Sequence, residues 1–254
     1  MTQAPLKVHT ISERSIRYSV IIPAYNEESL LPATLANLRL AMETLPYKGE
    51  IIVVDNDSTD NTRNIARNNG TRIIFEPFRQ IARVRNSGAR AARGDFLVFL
   101  DADSIPPPPL LQQALTLMDN GCCCGGGSLL KFDSNLPFLA DSLVRFWNWL
   151  SRTNRLAAGS FVFSLAQGFF ESGGFDEKIY AGEEILFSRR ISKWGRKHNL
   201  PFIILEDYPV ITSARKFHWY SSLHLALLLL FFTIFPLALR SRSLCKFWYS
   251  RPGN

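Results

Sequence analysis

Residues 95–104 read DFLVFLDADS. Five apolar residues, Phe96 to Leu100, run straight into Asp101-Ala102-Asp103. Such a run predicts a short strand buried on both faces of a sheet. Two acids at its end repel each other, and burying either is costly unless a cation lies between them. A hard divalent ion, Mg2+ or Mn2+, would remove that repulsion, because it takes carboxylate oxygens together with substrate phosphates and water. It would also stabilise negative charge on a departing diphosphate. An Asp-x-Asp alone is a weak signal that also fits a turn or a helix cap. Its place at the end of an apolar strand makes it stronger.

Upstream the chain alternates strands and helices. Tyr18–Pro23 and Glu50–Val54 are β-branched strands, and residues 72–75 form a third. Between them, Leu30, Leu31, Leu35, Leu38, Met42 and Leu45 recur at a helical period within 28–45. A second helix runs from an Asp60 cap to Asn69 and closes at Gly70, and a third covers 81–93. The order β-α-β-α-β-α-β predicts an α/β fold with a mostly parallel sheet flanked by helices. In such sheets ligands bind outside the carboxyl ends of the strands. Tyr25-Asn26-Glu27, Asp55-Asn56-Asp57 and Asp101-Ala102-Asp103 all fall there.

Downstream the pattern predicts a helix at about 110–120, a strand over 122–131 and an aromatic-rich helix over 136–156. A Gly-rich loop over 167–177, a helix over 183–194 and short strands over 202–212 follow. Gly125-Gly126-Gly127 would let another backbone approach. The chain has 254 residues, 46% of them apolar and 20% charged, so it can bury a sizeable core. Its net charge of +7 suits an anionic partner. Cys122, Cys123 and Cys124 are consecutive, so they form neither a metal cage nor a disulfide framework. They read as small apolar residues in a reducing compartment. The first 15 residues have no apolar core segment and do not read as a signal peptide. Residues 223–239 form an apolar run flanked by Arg215, Lys216, Arg240, Arg242 and Lys246. That run spans a membrane, lies in its surface, or packs as a buried or dimer-forming helix. Scattered basic residues beside an apolar segment argue against nucleic acid as a partner.

Four stretches, SVIIPAYNEE (19–28), EIIVVDNDSTDNT (50–62), RVRNSGARAARGDFLVFLDADS (83–104) and GGFDEKIYAGEEILFSRR (173–190), together resemble glycosyltransferase family 2. The resemblance covers about 170 residues. It implies a GT-A nucleotide-sugar-binding fold over 17–215, with a nucleotide-binding half (17–131) and an acceptor half (132–215). A hydrophobic helix over 219–240 would follow. It implies an inverting transfer of a sugar from a nucleotide-diphosphate sugar to an acceptor hydroxyl or phosphate, lipid-linked if the tail holds the site at the cytoplasmic face of the cell membrane. Under it, Pro23, Tyr25 and Glu27 line the nucleotide pocket, Asp55 and Asn56 contact the base, and Arg85 and Asn86 flank the nucleotide. Asp101 faces the ribose and the metal shell, and Asp103 ligates the metal. Many relatives carry a second Asp where this chain has Asn56, so uridine and guanosine donors stay open.

Relatives often carry Glu-Asp where this chain has Glu183-Glu184. The resemblance therefore makes Glu184 the base, with Glu183 beside it. A Glu there also fits the start of a helix for dipole reasons alone. Gly173 and Gly174 would let the loop close over the sugar. Arg215 or Lys216 would neutralise the diphosphate and His218 would complete the metal shell, or these residues face a membrane surface. The Gln-x-x-Arg-Trp motif of polymer-forming relatives is absent, which disfavours a processive synthase. Two other readings remain at this stage. A sugar nucleotidyltransferase would need a basic, Gly-rich loop after the first strand, where Pro23-Ala24-Tyr25-Asn26-Glu27-Glu28 stands instead. A non-catalytic membrane adaptor would be marked by loss of Asp101, Asp103 or Glu184, all of which are present.

Overall fold

The computed structural model describes residues 16–219, 224, 227–228, 231–232 and 234–249. The first strand, β1 (Tyr18–Ala24), is buried along its whole length. It pairs in parallel with β2 (Gly49–Asp55) on one side and with β4 (Phe96–Leu100) on the other, and β3 (Arg72–Phe75) extends β2. Helices α1 (Leu31–Glu43), α2 (Thr62–Asn68) and α3 (Ile81–Ala91) supply the crossovers. One apolar cluster packs Leu31, Leu35 and Leu38 of α1 onto Val20, Ile22 and Val98. A second packs Val84 and Ala89 of α3 onto Ile21, Val54 and Phe99 of the opposite face. Both faces of the strands are therefore covered, as their continuous apolar runs require.

The second half departs from this pattern. After β5 (Ser104–Ile105) and α4 (Pro108–Asp119) come β6 (Gly125–Phe132), α5 (Phe138–Asn154), β7 (Phe161–Leu165) and α6 (Ala166–Glu171). Then follow α7 (Glu183–Lys197), β8 (Phe202–Thr212) and α8 (Arg215–Trp219). The sheet order is β3-β2-β1-β4-β7-β6-β8-β5. The β7 strand is antiparallel to both β4 and β6, β5 is antiparallel to β8, and β6 and β8 are parallel. The sequence reading assigned no element to 157–166, and the strand found there converts a parallel sheet into a mixed one. It also placed a loop over 167–177, whose first part is α6, and began a strand at Cys122 where β6 starts at Gly125. The short strands expected over 202–212 are one continuous strand.

The glycine run behaves as expected. A Cβ on Gly125 would lie 2.4 Å from the Phe163 carbonyl oxygen and one on Gly126 2.2 Å from that of Ile203, so only glycine lets β6 sit between its neighbours here. The thiols are free, with Cys123 and Cys124 buried and Cys122 exposed.

Much of the 223–239 run lies outside the described residues, as do the side chains of Lys216 and His218. Among the described residues no helix is long and apolar enough to cross a membrane. What is described of the C-terminal segment folds back: Phe232, Ala238 and Cys245 cluster with Ala181, and the Tyr180 N–H donates to the Leu239 carbonyl.

Candidate active site

The parallel strands end together. Ala24 is in register with Asp55, and Asp55 with Phe75, so the polar segments after β1, β2 and β4 share one edge. Four carboxylates, Glu27, Asp101, Asp103 and Glu183, are joined in two clusters there, each centred on an arginine.

In the first cluster Arg85, from α3, donates to Glu183 Oε1 at 2.5 Å and to Asp101 Oδ1 at 2.8 Å. It also donates to the Gly159 carbonyl at 3.0 Å. Arg85 and Glu183 are buried, so Arg85 is no exposed helix charge. Burial would lower its pKa, but Asp101, Glu183 and Glu184 outweigh that and raise it. Glu183 opens α7, and Gly182, at φ +71°, turns the chain into that helix in a conformation that disfavours any side chain. Beside it Glu184 is half-buried. Its pKa is pushed up to about 8, by burial first and then by the neighbouring Glu183 charge, with Arg85 opposing. Glu183 is the ion-paired member of this pair and Glu184 the one that holds a proton more tightly than an ordinary carboxyl.

In the second cluster Arg215 forks onto Glu27, with Nη1 to Oε2 at 2.7 Å and Nη2 to Oε1 at 2.6 Å. The same Nη2 lies 3.0 Å from Asp103 Oδ2. The sheet delivers this contact. Ser104 pairs with Thr212, the Ser213 N–H donates to the Asp103 carbonyl at 3.1 Å, and Arg215 follows. The cations that relieve the two acids of residues 101–103 are thus, in the first instance, two arginines from distant parts of the chain.

The other expected site residues are spread along the same edge. Asp55 is fully buried, and its carboxylate accepts from Arg63 Nε at 2.9 Å and from the Ser58 N–H at 3.2 Å. Asn56 spends its amide on the Glu76 and Phe78 carbonyls. Pro23 is buried inside β1. Tyr25 carries the Arg79 guanidinium 3.5 Å above its ring. Asn86 turns away from the edge, accepting from the Phe175 N–H and donating to the Phe175 carbonyl and to Glu177. It fixes the loop that leads to Glu183, a loop in which Gly173 and Gly174 both have positive φ. Sequence reasoning missed Arg63, Arg79 and Gly159. The first two are arginines among 29 basic residues, and Gly159 acts through a backbone carbonyl that any residue has.

Among the described residues no group of three or more His, Cys, Asp or Glu side chains stands together as a metal cage. Two carboxylates at one strand end are nevertheless the donor set that Mg2+ or Mn2+ uses when substrate phosphates and water complete its shell. Asp101 and Asp103 fit that type of site and not an all-protein cage.

Comparison with known proteins bears on this arrangement. The profile described as glycosyl transferase family 2 matches residues 19–169, more than half of the chain. This chain belongs to that family. A validoxylamine A glucosyltransferase from Streptomyces hygroscopicus subsp. limoneus is 39% identical over 89 residues, 33% of this chain and 19% of that protein. An undecaprenyl-phosphate 4-deoxy-4-formamido-L-arabinose transferase from Pseudomonas syringae pv. syringae is 36% identical over 93 residues, 34% of this chain and 27% of that protein. The chain thus spans a fifth to a quarter of these relatives. S. aureus TarS superposes with a TM-score of 0.59 at 21% identity, over 83% of this chain and 39% of that one. The Pyrobaculum calidifontis mannosyltransferase PcManGT, solved with GDP-Man and Mn2+, superposes with a TM-score of 0.58 at 21% identity, over 82% of this chain and 60% of that one. These likenesses show the GT-A fold. Membership of family 2 supports glycosyl transfer as the general function.

Proposed function

We propose that this family 2 chain is an inverting glycosyltransferase that uses a nucleotide-diphosphate sugar. The observation that carries the reading is the pair of arginine clusters, which bring Glu27, Asp101, Asp103 and Glu183, with Glu184 beside Glu183, to one sheet edge from three separate stretches of sequence. The donor lies over the ends of β1, β2 and β4, with its base toward Asp55, Asn56 and Tyr25. Asp101 and Asp103 would hold a divalent cation, which when bound offsets charge on the leaving diphosphate. The name of the neighbour solved with GDP-Man and Mn2+ supports that choice.

The protein's own contribution is positional and electrostatic. Arg85 holds Asp101 and Glu183 in fixed relation. Burial first, and then the paired Glu183 anion, keep Glu184 avid for a proton. Glu184 is therefore suited to take the proton of the acceptor oxygen as that oxygen bonds to the anomeric carbon. The bond from that carbon to the diphosphate breaks with its electron pair going to the diphosphate. Arg215 stands where it can transfer one arm from Asp103 to the departing oxygens. The acceptor is a hydroxyl or phosphate oxygen. The name of the undecaprenyl-phosphate relative favours a lipid-linked acceptor at a membrane face.

The test is release of UDP or GDP from a panel of nucleotide sugars by the full chain, with Mn2+ or with EDTA. Slow release from one donor is expected, lost with EDTA and in Asp103→Ala. Absence of both release and nucleotide binding with every metal would overturn the enzyme reading.

A further inference from the structure

Between α6 and α7 the chain runs from Ser172 to Gly182 without regular structure, and it delivers Glu183 and Glu184 to the site. Gly173, Gly174 and Gly182 all have positive φ there, so the segment has little stiffness of its own. We propose that Gln80 is a positioning residue for Glu184, because it ties the backbone of this segment to the start of α3. The proposal rests on the reading of Glu184 as the base, but the tether itself stands on its own contacts. Gln80 is 2% exposed and immediately precedes α3. Its side chain makes no cap bond to that helix. Its Nε2 donates instead to the Glu177 carbonyl at 2.7 Å and to the Ile179 carbonyl at 2.8 Å. Both acceptors are carbonyl oxygens, so the two hydrogens of one amide nitrogen are spent on this segment. The partners lie 97 and 99 residues away in sequence.

The tether continues on both sides of Gln80's partners. The Tyr180 carbonyl accepts from the Tyr249 hydroxyl at 2.8 Å, and that hydroxyl accepts from the Ile81 N–H at 3.4 Å. The carbonyls of residues 177, 179 and 180 are thus linked, directly or through one hydroxyl, to residues 80 and 81. Further along α3, Arg83 Nε donates to Glu177 Oε2 at 3.1 Å and Asn86 Nδ2 to Glu177 Oε1 at 2.9 Å. Residues 80, 83 and 86 follow the spacing that puts helical neighbours on one face. Arg85 of the same helix holds Glu183 and Asp101. One helix therefore sets both the strand-end acid and the segment that leads to the base. Glu184 has to keep its carboxyl open to an acceptor, so its place is fixed through the backbone ahead of it. Phe175 anchors the start of the segment, edge-on to Phe99 at 4.9 Å between ring centres. Without the Gln80 bonds, the stretch between that anchor and Glu183 is free to shift. A displacement of about 1 Å at a catalytic group costs on the order of 10²-fold in rate.

The test compares the full chain with Gln80→Met, which keeps the length of the side chain and removes both donors. Rates of donor hydrolysis, calorimetric titration of UDP with Mn2+, and hydrogen exchange by mass spectrometry are read on the same preparations. Melting curves against pH are taken for each protein with and without Glu184→Gln. The turnover rate should fall about 10- to 100-fold. UDP affinity and the donor KM should move less than about twofold, the scatter expected between independent sites. Amides of residues 177–186 should exchange faster, and those of β1 and β4 at unchanged rates. Glu184 stands among Glu183, Arg85 and Asp101, and burial above all holds its proton up to about pH 8. A loosened segment admits water, so the pH at which the curves with and without Glu184→Gln separate should move down toward the ordinary carboxyl range. Glu177→Gln, which carries the test should Gln80→Met fail to fold, should move rate and exchange in the same direction and less far. Unchanged turnover and an unchanged separation pH, with only a lower melting temperature, overturn the proposal and leave Gln80 a purely structural residue. A fall in UDP affinity as large as the fall in rate overturns it too, by giving Gln80 to the donor site. Faster exchange over 177–186 and a shifted separation pH, in a chain whose wild type neither hydrolyses donors nor binds nucleotide, keep the tether and sink the transferase reading instead.

Discussion

Arg85 and Arg215 each bridge two carboxylates from separate elements, yet they sit at different depths. The Arg85 side chain is 3% exposed and its partner Glu183 4%. Arg215 is 18% exposed, with Asp103 at 14%. Arg85 is also held by a backbone carbonyl and lies over the Phe175 ring. Arg215 stands at the start of a five-residue helix at the far end of the sheet, and one of its nitrogens is shared between Glu27 and Asp103. The deep cluster has the character of a fixed cross-link. The shallow one can exchange a partner for an incoming ligand.

The sharpest way to break this comparison is to remove each arginine. Arg85→Ala removes the guanidinium that pairs with buried Glu183 and should cost about 3–5 kcal/mol of stability, as broken buried pairs do. Denaturant melts would measure it. Adding Glu183→Gln should recover part of that loss, and a purely additive double variant would show that the two side chains do not depend on each other. Glu184→Gln should leave folding intact and lower the rate of sugar transfer or donor hydrolysis by about 10²–10⁴-fold, the range for a general base. A variant as active as the wild type would move the base elsewhere. Arg215→Ala should cost less in stability than Arg85→Ala and should weaken UDP binding in the presence of Mn2+. Equal destabilisation by the two alanines would erase the distinction between cross-link and exchangeable partner.

The comparison can also be sharpened through pH dependence. The Glu184 carboxyl binds its proton up to about pH 8 in the folded chain, against an ordinary value near 4.3 when unfolded. A raised folded pKa means that the stability this group contributes is complete below the unfolded value and is lost as pH rises through about 8. Melting temperatures of the wild type should therefore fall relative to Glu184→Gln between mildly acid and mildly alkaline pH. Parallel curves would mean that Glu184 ionises as an ordinary carboxyl. In the same window the rate should rise as Glu184 becomes free to accept a proton.

The first hundred residues were legible because each strand is a continuous apolar run closed by polar residues, and each helix shows its period. Those are local signals. The residues after β1, β2 and β4 were placed on one edge for the same reason, since parallel strands with crossovers must end together. The 157–166 stretch gave no such signal. Strand β7 is five residues long, has no turn residues at its far end, and runs directly into α6. Its pairing to β4 and β6 is decided by partners far away in sequence.

By itself, the sequence determined the alternation of strands and helices, the edge on which the acids emerge and the identity of the acids. Those follow from periodicity and from the rule that buried strands must be apolar. Only the tertiary structure decided which cation meets which acid. Arg85 reaches Glu183 across 98 residues and Arg215 reaches Glu27 across 188, and no local pattern encodes a partner at that range. Charges that stand isolated in sequence become a site when burial removes the water between them, and that depends on the fold as a whole.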